Sequence, residues 1–205
     1  MNLMARFRRR RMRRFVQLLG IREETRVLDV GGTTLNWTLA DVRPRLVLVN
    51  MPRAREAEER ELWVAADGRR LPFADHSFDV VFSNSVIEHV GTAVEQRRFA
   101  SEIARVGKRY WVQTPNRWFP LELHMLTPFV HYLPRNWQAG ILRRFTIWEW
   151  IARPDPDQRA FYIEHYLRDV RLLRAKDLQS LFPGAELIRE RFFGFTKSLI
   201  AARRS

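Results

Sequence analysis

The sequence lacks both cysteine and long apolar runs. None of its 205 residues is cysteine, so disulfide bonds and thiolate metal sites are excluded. No run reaches the roughly 18 apolar residues that can span a bilayer. The basic N-terminal segment is followed by Glu23 and Glu24 instead of a signal-peptide core. We therefore expect a cytoplasmic protein, with peripheral attachment at the inner face of the membrane as an alternative.

Metal-binding spacings are also missing. The five histidines are scattered along the chain, without the HxH or HExxH patterns that bring two imidazoles to one ion. The sequence therefore predicts no metal in this protein.

Acidic residues are scarce relative to basic ones. With 23 Asp and Glu against 36 Lys and Arg, the formal net charge is +13 at pH 7. Seven arginines and no acid lie in "MARFRRRRMRRF", the first being Arg6 and the last Arg14. A basic amphipathic helix of this kind suits an anionic membrane surface or nucleic acid, whereas a solvated first helix is the plainer interpretation. Four apolar residues predict a stripe that faces the domain, namely Phe7, Phe15, Leu18 and Leu19.

Short apolar runs alternate with helical patterns after this segment. Runs rich in valine and aromatic residues predict strands at 26–32, 46–50, 62–68, 78–84 and 109–115. Val94, Phe99, Ile103 and Val106 have helical spacing and predict a crossover helix between the last two strands. A helix at 174–182 and a strand pair around Gly194 close the chain.

This order predicts one α/β domain over residues 1–205. We expect a doubly wound, Rossmann-like sheet that is mostly parallel, with the last strand antiparallel and helices on both faces. An aromatic-rich insertion interrupts the pattern after the fifth strand.

Small and polar residues follow the predicted strands, at the edge where parallel sheets bind ligands. Asn50 lies 21 residues after Asp29, near the offset at which nucleotide-binding folds place a ribose ligand. Each residue alone is weak evidence, because a Gly-Gly pair is commonly a plain turn. Their order along one chain nevertheless predicts a nucleotide-like site formed by Asp29, Gly31, Gly32, Thr33, Asn50, Met51, Asp67, Gly68, Asn84 and Ser85.

Two blocks, "VLDVGG" and "AADGRRLPFADHSFDVVFSNSVIEHV", resemble class I S-adenosylmethionine-dependent methyltransferases, specifically the type 11 methyltransferase domain. In the second block an acidic residue, "LPF", "SFDVV" and "EHV" occur at the spacings of that family. The resemblance implies methyl transfer from S-adenosylmethionine, with S-adenosylhomocysteine as the product. It divides the domain into a basic helix (1–22), a cofactor-binding half (23–116), an acceptor-cap insertion (117–169) and a closing helix with a strand pair (170–205).

The resemblance also implies roles for single residues near the first two strands. Asp29 and Gly31 would lie beside the methionine part of the cofactor, and Asn50 would hold the ribose. The family usually has an acidic residue where Asn50 stands, and an amide offers only one acceptor oxygen. Two of the family's three motif glycines are replaced by Thr33 and Leu35. These departures predict weaker binding of the cofactor, not its loss.

Adenine and the reacting methyl group have their own expected contacts. Met51 would pack on adenine, Asp67 would accept from its amino group, and the Gly68 amide would meet the ring. Asn84 and Ser85 would line the floor where the methyl group is delivered.

The insertion is predicted to bind the methyl acceptor. Trp118, Glu122, His124 and Phe129 are the expected contacts, and they favour a small aromatic or hydrophobic molecule accepting on oxygen, nitrogen or carbon. The alternative is that these side chains pack a core of the insertion itself. His89 and His124 are the candidate general bases, should the acceptor have to lose a proton.

Two other functions remain open at this point. The arginine-rich segment would suit an RNA methyltransferase, although "SNSVIEHV" lacks the N/D-P-P-Y/F/W motif of many enzymes that methylate nucleic-acid amino groups. A non-catalytic protein with a decayed cofactor site, bound to a membrane or a partner, is the third hypothesis.

Overall fold

A mixed β-sheet forms the centre of the computed structural model, which describes residues 3–51 and 63–204. Its strands are β1 (Arg26–Val30), β2 (Arg45–Asn50), β3 (Trp63–Ala65), β4 (Phe78–Asn84), β5 (Gly107–Pro115), β8 (Glu186–Phe192) and β9 (Phe195–Arg203). They are arranged in the order β3-β2-β1-β4-β5-β9-β8. The first five run parallel, and β9 is antiparallel to both of its neighbours. The predicted doubly wound sheet is therefore confirmed.

Helices and short elements surround the sheet. The α-helices are α1 (Leu3–Leu19), α2 (Thr34–Trp37), α3 (Ala93–Val106), α4 (Arg135–Arg144), α5 (Ile147–Ala152), α6 (Pro156–Asp169) and α7 (Ala175–Leu181). The described residues also form two 3₁₀ helices (Ile87–His89 and Val130–Tyr132) and a small hairpin of β6 (Leu121–Glu122) and β7 (Thr127–Pro128). Over residues 3–51 and 63–204, no helix has both the length and the apolar character needed to cross a membrane.

The strand predictions differ from the structure only at their ends. The predicted third strand starts at residue 62, which lies outside the described residues, and β5 starts two residues earlier than predicted. The closing hairpin turns at Gly194, whose φ of 81° is a conformation that glycine adopts without strain.

Alternating side chains of the central strands build a core on each face of the sheet. Val80 and Phe82 of β4 point to the face that α1 covers, whereas Val81 points to the face covered by α3 and α7. From α1, the buried apolar residues are Met12, Phe15 and Leu19, at the spacing of one helix face. Both faces are therefore covered by helices, as a parallel sheet requires.

One residue of the predicted α3 stripe does not join the core. Phe99, Ile103 and Val106 are buried, but Val94 is exposed. Val94 precedes Phe99 by five residues, which places it about 140° away around the helix. The capping box of Thr92 and Glu95 begins the helix just before Val94 and so fixes it on the solvent side.

The insertion has a small core of its own. Met125, Val130, Leu142, Ile163 and Tyr166 are buried together there, apart from the two cores of the sheet. The insertion is therefore a packed subdomain above the carboxyl end of β5, not an extended loop.

Replacing Phe15 by Ala tests how much α1 contributes to the fold. Phe15 is fully buried, and its ring lies 4.8 Å from that of Phe82 and 5.8 Å from that of Trp111, between centroids. We expect Phe15→Ala to lower the free energy of unfolding by about 3–5 kcal/mol in urea titrations. The matched control is Phe161→Ala, at an exposed site on α6, which should change it by less than about 1 kcal/mol. Equal effects of the two changes would contradict the packing described for α1.

Candidate functional site

A glycine turn follows β1 at the carboxyl edge of the sheet. Gly31 has a φ of 78°, and its N–H donates to the carbonyl of Val49 over 2.6 Å. A Cβ at this position would lie 2.5 Å from a methyl group of Val86. The site therefore needs glycine at residue 31, the motif glycine that this sequence keeps.

Asp29 lies fully buried beneath the turn. Its Oδ2 accepts a hydrogen bond of 2.8 Å from Nε1 of Trp37, whereas Oδ1 has no partner among the described residues. A Cβ on Gly32 would lie 1.9 Å from Oδ2, so the carboxyl group rests directly against the turn. Burial raises the pKa of Asp29 to about 7, although the hydrogen bond from Trp37 acts in the opposite direction.

The first of two cavities at this edge has a volume of about 470 Å³. That volume is within the range of small-molecule sites. It holds four of the residues that the sequence predicts around the nucleoside, namely Asn50, Met51, Asp67 and Gly68. Apolar walls come from Val30, Val49, Val86 and Phe99.

Asn50 links the end of β2 to the glycine turn. Its Oδ1 accepts from the backbone N–H of Met51 over 2.9 Å, and its Nδ2 donates to the carbonyl of Gly32 over 3.4 Å. A carboxylate could not make the second bond, because it has no hydrogen to donate. The departure from the family at this position is therefore compatible with the local structure.

An arginine holds the carboxylate of Asp67. Nε of Arg69 lies 3.0 Å from both carboxylate oxygens, Nη2 lies 2.6 Å from Oδ2, and the Arg69 N–H donates to Oδ1 over 2.8 Å. Arg69 also bonds to Glu95 over 2.5 Å. The hydrogen bonds from Arg69 lower the pKa of Asp67, so Asp67 is ionised at neutral pH. About one of its four lone-pair positions remains for a ligand.

The second cavity, of about 360 Å³, lies on the other side of the turn. Both cavities include Gly31 and His89 in their walls, so they meet at these two residues. Of the sequence-predicted site residues, the second cavity gathers Gly31, Gly32, Thr33, Asn84, Ser85, His89 and His124. Residues from several strand ends and from the insertion thus line a single cavity.

Sequence analysis missed Arg11 as a site residue. Its guanidinium donates to Asn84 over 2.6 Å and to Gln113 over 3.1 Å, and it forms a salt bridge of 2.6 Å with Glu190. The side chain is buried, which corrects the expectation that the whole basic segment is available to a membrane or nucleic acid. The signal was present, because Arg11 lies four residues from both Phe7 and Phe15 and so shares their helix face.

The two candidate bases meet although they are 35 residues apart in sequence. Nε2 of His89 lies 3.1 Å from Nε2 of His124, and Nδ1 of His124 lies 2.6 Å from Oε1 of Glu122. Burial and then the charges of His124 and His165 lower the pKa of His89 to about 4. Burial opposes protonation of His124 as well, but the hydrogen bond and charge of Glu122 outweigh it and raise the pKa.

The expected acceptor contacts are only partly found at the cavities. His124 lines the second cavity, whereas Glu122 is buried behind it and binds the imidazole of His124 and the N–H of Met125. Neither Trp118 nor Phe129 is among the described residues that line either cavity. Both are exposed and pack on Tyr132, with ring centroids 5.9 and 6.2 Å away. They lie outside because the core of the insertion is filled by other side chains.

Comparisons with known proteins agree with this geometry. Residues 28–110 match the family model described as "Methyltransferase domain". Over these residues the chain resembles that family. The cofactor of such domains is S-adenosylmethionine. At a stringent threshold, no curated protein matches the sequence.

Solved structures resemble the methyltransferase domain together with the rest of the chain. The PH0226 protein from Pyrococcus horikoshii is 16% identical, with a TM-score of 0.58 over 98% of this chain and 91% of its own. Magnesium protoporphyrin IX methyltransferase from Synechocystis, solved with S-adenosylhomocysteine, is 15% identical, with a TM-score of 0.52 over 100% of this chain and 89% of its own. At these identities the likeness establishes the fold.

The burial of Asp29 predicts a pH-dependent effect of Asp29→Asn. The unfolded chain releases this proton near its ordinary pKa of 3.8, and the folded chain only at about 7. The contribution of Asp29 to stability therefore falls as the pH rises between these values, and Asn removes this dependence. We expect the free energy of unfolding of the variant, minus that of wild type, to grow from pH 4 to pH 8 by up to about 4 kcal/mol.

Urea unfolding of the cofactor-free protein at several pH values measures this difference. Asp79→Asn is the matched control, because the backbone hydrogen bond from Arg26 lowers the pKa of Asp79. Its stabilising contribution is fully present above its ordinary pKa of 3.8 and is lost only below that pH, so its difference curve should stay nearly flat from pH 4 to pH 8. Parallel curves for Asp29→Asn and wild type would contradict the raised pKa.

Proposed function

We propose that this protein transfers a methyl group from S-adenosylmethionine to oxygen, nitrogen or carbon of a small acceptor. The observation that carries the proposal is the pair of cavities that meet at Gly31 and His89. A cofactor laid across the glycine turn would have its nucleoside on one side and its reactive end on the other. The family match of residues 28–110 supports the same reaction.

The residues of the first cavity fit the nucleoside part of this cofactor. Asn50 would hold the ribose, Asp67 would accept from the adenine amino group, and Met51 would cover the ring. Gly68 supports close contact with the ring, because a Cβ there would lie 2.6 Å from Phe99. The buried Oδ1 of Asp29, which has no partner among residues 3–51 and 63–204, is a further acceptor beneath the turn.

The lining of the second cavity supports an acceptor that carries an anionic group. Arg8, Arg11 and Lys197 contribute to its walls, and none of the described lining residues is Asp or Glu. The carboxylate of the cofactor's methionine part would be attracted to the same charges. This lining favours an acidic small molecule over the purely hydrophobic acceptor that the aromatic insertion indicated.

The protein's own contribution is mainly placement. When bound, the cofactor supplies an activated methyl group on a sulfonium centre. Asn84, Ser85 and His89 would position the acceptor atom in line with the methyl group, and holding two reactants in this way accounts for a large part of many rate enhancements. The insertion, with His124 at the cavity wall, would exclude water from the reacting atoms.

Calorimetric titration with S-adenosylmethionine and S-adenosylhomocysteine tests the proposal. We expect wild type to bind both at micromolar concentration. Asp67→Ala removes a charged acceptor and should weaken binding about 10- to 100-fold. Gly31→Ala should abolish binding, because the new methyl group would occupy the space of Val86. Thermal unfolding of each variant shows whether it is folded before titration.

Asp79→Ala is the control for these titrations. It removes an acid from the start of β4, at the opposite edge of the sheet, and should leave both dissociation constants unchanged. If folded wild type gave no heat with millimolar cofactor, the proposal would be wrong. The non-catalytic hypothesis, in which a membrane or a partner protein is bound, would then be favoured.

A further inference from the structure

Three side chains with metal-binding atoms converge beside the second cavity, and two of them, His89 and His124, line it. One ligand atom each from Glu88, His89 and His124 lies within 4.8 Å of the other two. The first two residues come from the 3₁₀ helix after β4, and His124 comes from the loop between β6 and β7. The cluster therefore joins the cofactor-binding half to the insertion.

The separation of the two imidazoles is that of ligands on a common ion. Metal–nitrogen bonds of about 2.0–2.1 Å at angles between 90° and 110° place the two nitrogens roughly 2.9 to 3.4 Å apart. Nε2 of His89 and Nε2 of His124 are 3.1 Å apart. This distance would allow the two imidazoles to share an ion, and the carboxylate of Glu88 has an oxygen within 4.8 Å of both.

Glu122 orients His124 in the way that carboxylates commonly orient metal-bound imidazoles. Its Oε1 accepts from Nδ1 of His124, which leaves Nε2 directed at the cluster. Its Oε2 accepts from the N–H of Met125 over 2.6 Å, so the carboxylate is itself fixed.

Glu88 supplies an independent indication of a missing partner. The side chain is fully buried, and Oε2 accepts from the hydroxyl of Thr114 over 2.9 Å. Oε1 has no hydrogen-bond partner within the described part of the chain. A buried carboxylate oxygen without a partner is costly, and a bound cation would remove that cost. The charge of Arg11 also reaches Glu88, but Arg11 is already paired with Glu190.

We propose that Glu88, His89 and His124 bind a divalent first-row transition-metal ion. Two imidazoles with one carboxylate are a ligand set for such ions, and fewer than four protein ligands leave positions open. Because His89 and His124 line the second cavity, the open positions face the space assigned to the acceptor. We therefore expect the methyl acceptor to bind the ion through a hydroxyl or carboxylate oxygen. This expectation rests on the proposed function, whereas the metal site itself does not.

Titration of chelator-treated protein with Co²⁺ and Zn²⁺ tests the metal site directly. The visible d–d absorption of Co²⁺ should show one saturable, low-symmetry site per chain, and Zn²⁺ should displace the Co²⁺. His124→Ala and His89→Ala should each weaken Co²⁺ binding by at least about 100-fold, and Glu122→Gln by about 10-fold. Glu88→Gln keeps the shape of the side chain and should also weaken binding.

His76→Asn is the matched control. His76 lies before β4, at the amino edge of the sheet, in a left-handed conformation that asparagine tolerates. This variant should bind Co²⁺ as wild type does. The proposal would be overturned if wild type gave no saturable Co²⁺ spectrum, or if the spectrum persisted unchanged in folded His124→Ala. The contact between the two histidines would then be a direct hydrogen bond.

The two proposals fail separately. S-adenosylmethionine is titrated into the metal-free protein, and Co²⁺ into the cofactor-free protein. Metal binding without cofactor binding would overturn the proposed function while supporting the metal site. Cofactor binding without metal binding would support the proposed function and overturn the metal site. When both bind, methylation of hydroxyl or carboxylate acceptors should fall on metal removal and return with added metal. Unchanged methylation would refute the acceptor step alone.

Discussion

The arrangement of parallel strands around β1 determines the candidate site. Asp29 of β1 is paired in register with Leu48 of β2 and Phe82 of β4, so the ends of all three strands lie side by side. The chain that leaves β1 must turn sharply between its neighbours, and Gly31 allows this turn. Because side chains alternate along a strand, a shift of one residue in either pairing would place the side chains of β1 on the wrong face of the sheet. The correct register is therefore a condition for both cavities.

Arg11 shows that the basic helix is also part of this arrangement. It reaches the carboxyl ends of β4 and β5 through Asn84 and Gln113, and it reaches β8 through Glu190. Removing one partner of a buried ion pair commonly destabilises a protein more than removing one partner of an exposed pair, because the remaining charge stays buried. Helix α1 thus closes one wall of the second cavity. The arginines of this segment therefore form two groups, those that line the second cavity, Arg8 and Arg11, and those that do not.

Local patterns in the sequence were sufficient for the sheet and for the positions of the strand-end residues. Valine and aromatic runs predicted the strands because both faces of a parallel sheet are buried, and the edge of the sheet then followed from strand direction alone. The contact of His89 with His124 could not be predicted in this way, since it depends on how the insertion folds back over the site. The same limit applies to Trp118 and Phe129, whose aromatic character suggested a cavity lining although they pack on the surface.

Buried acidic groups distinguish this edge of the sheet from the rest of a basic protein. Among the described residues, the buried carboxyl groups are those of Asp29, Glu88 and Glu122, and all three lie at or just behind the cavities. Each is compensated differently, by the indole of Trp37, the hydroxyl of Thr114 or the imidazole of His124. Asp29 and Glu88 each keep one oxygen that has no partner within the part of the chain that the structure describes. A fold under selection for stability alone would replace such groups by apolar side chains, because isolated buried charge opposes folding. Their concentration at one edge is therefore better explained by ligands that supply the missing partners.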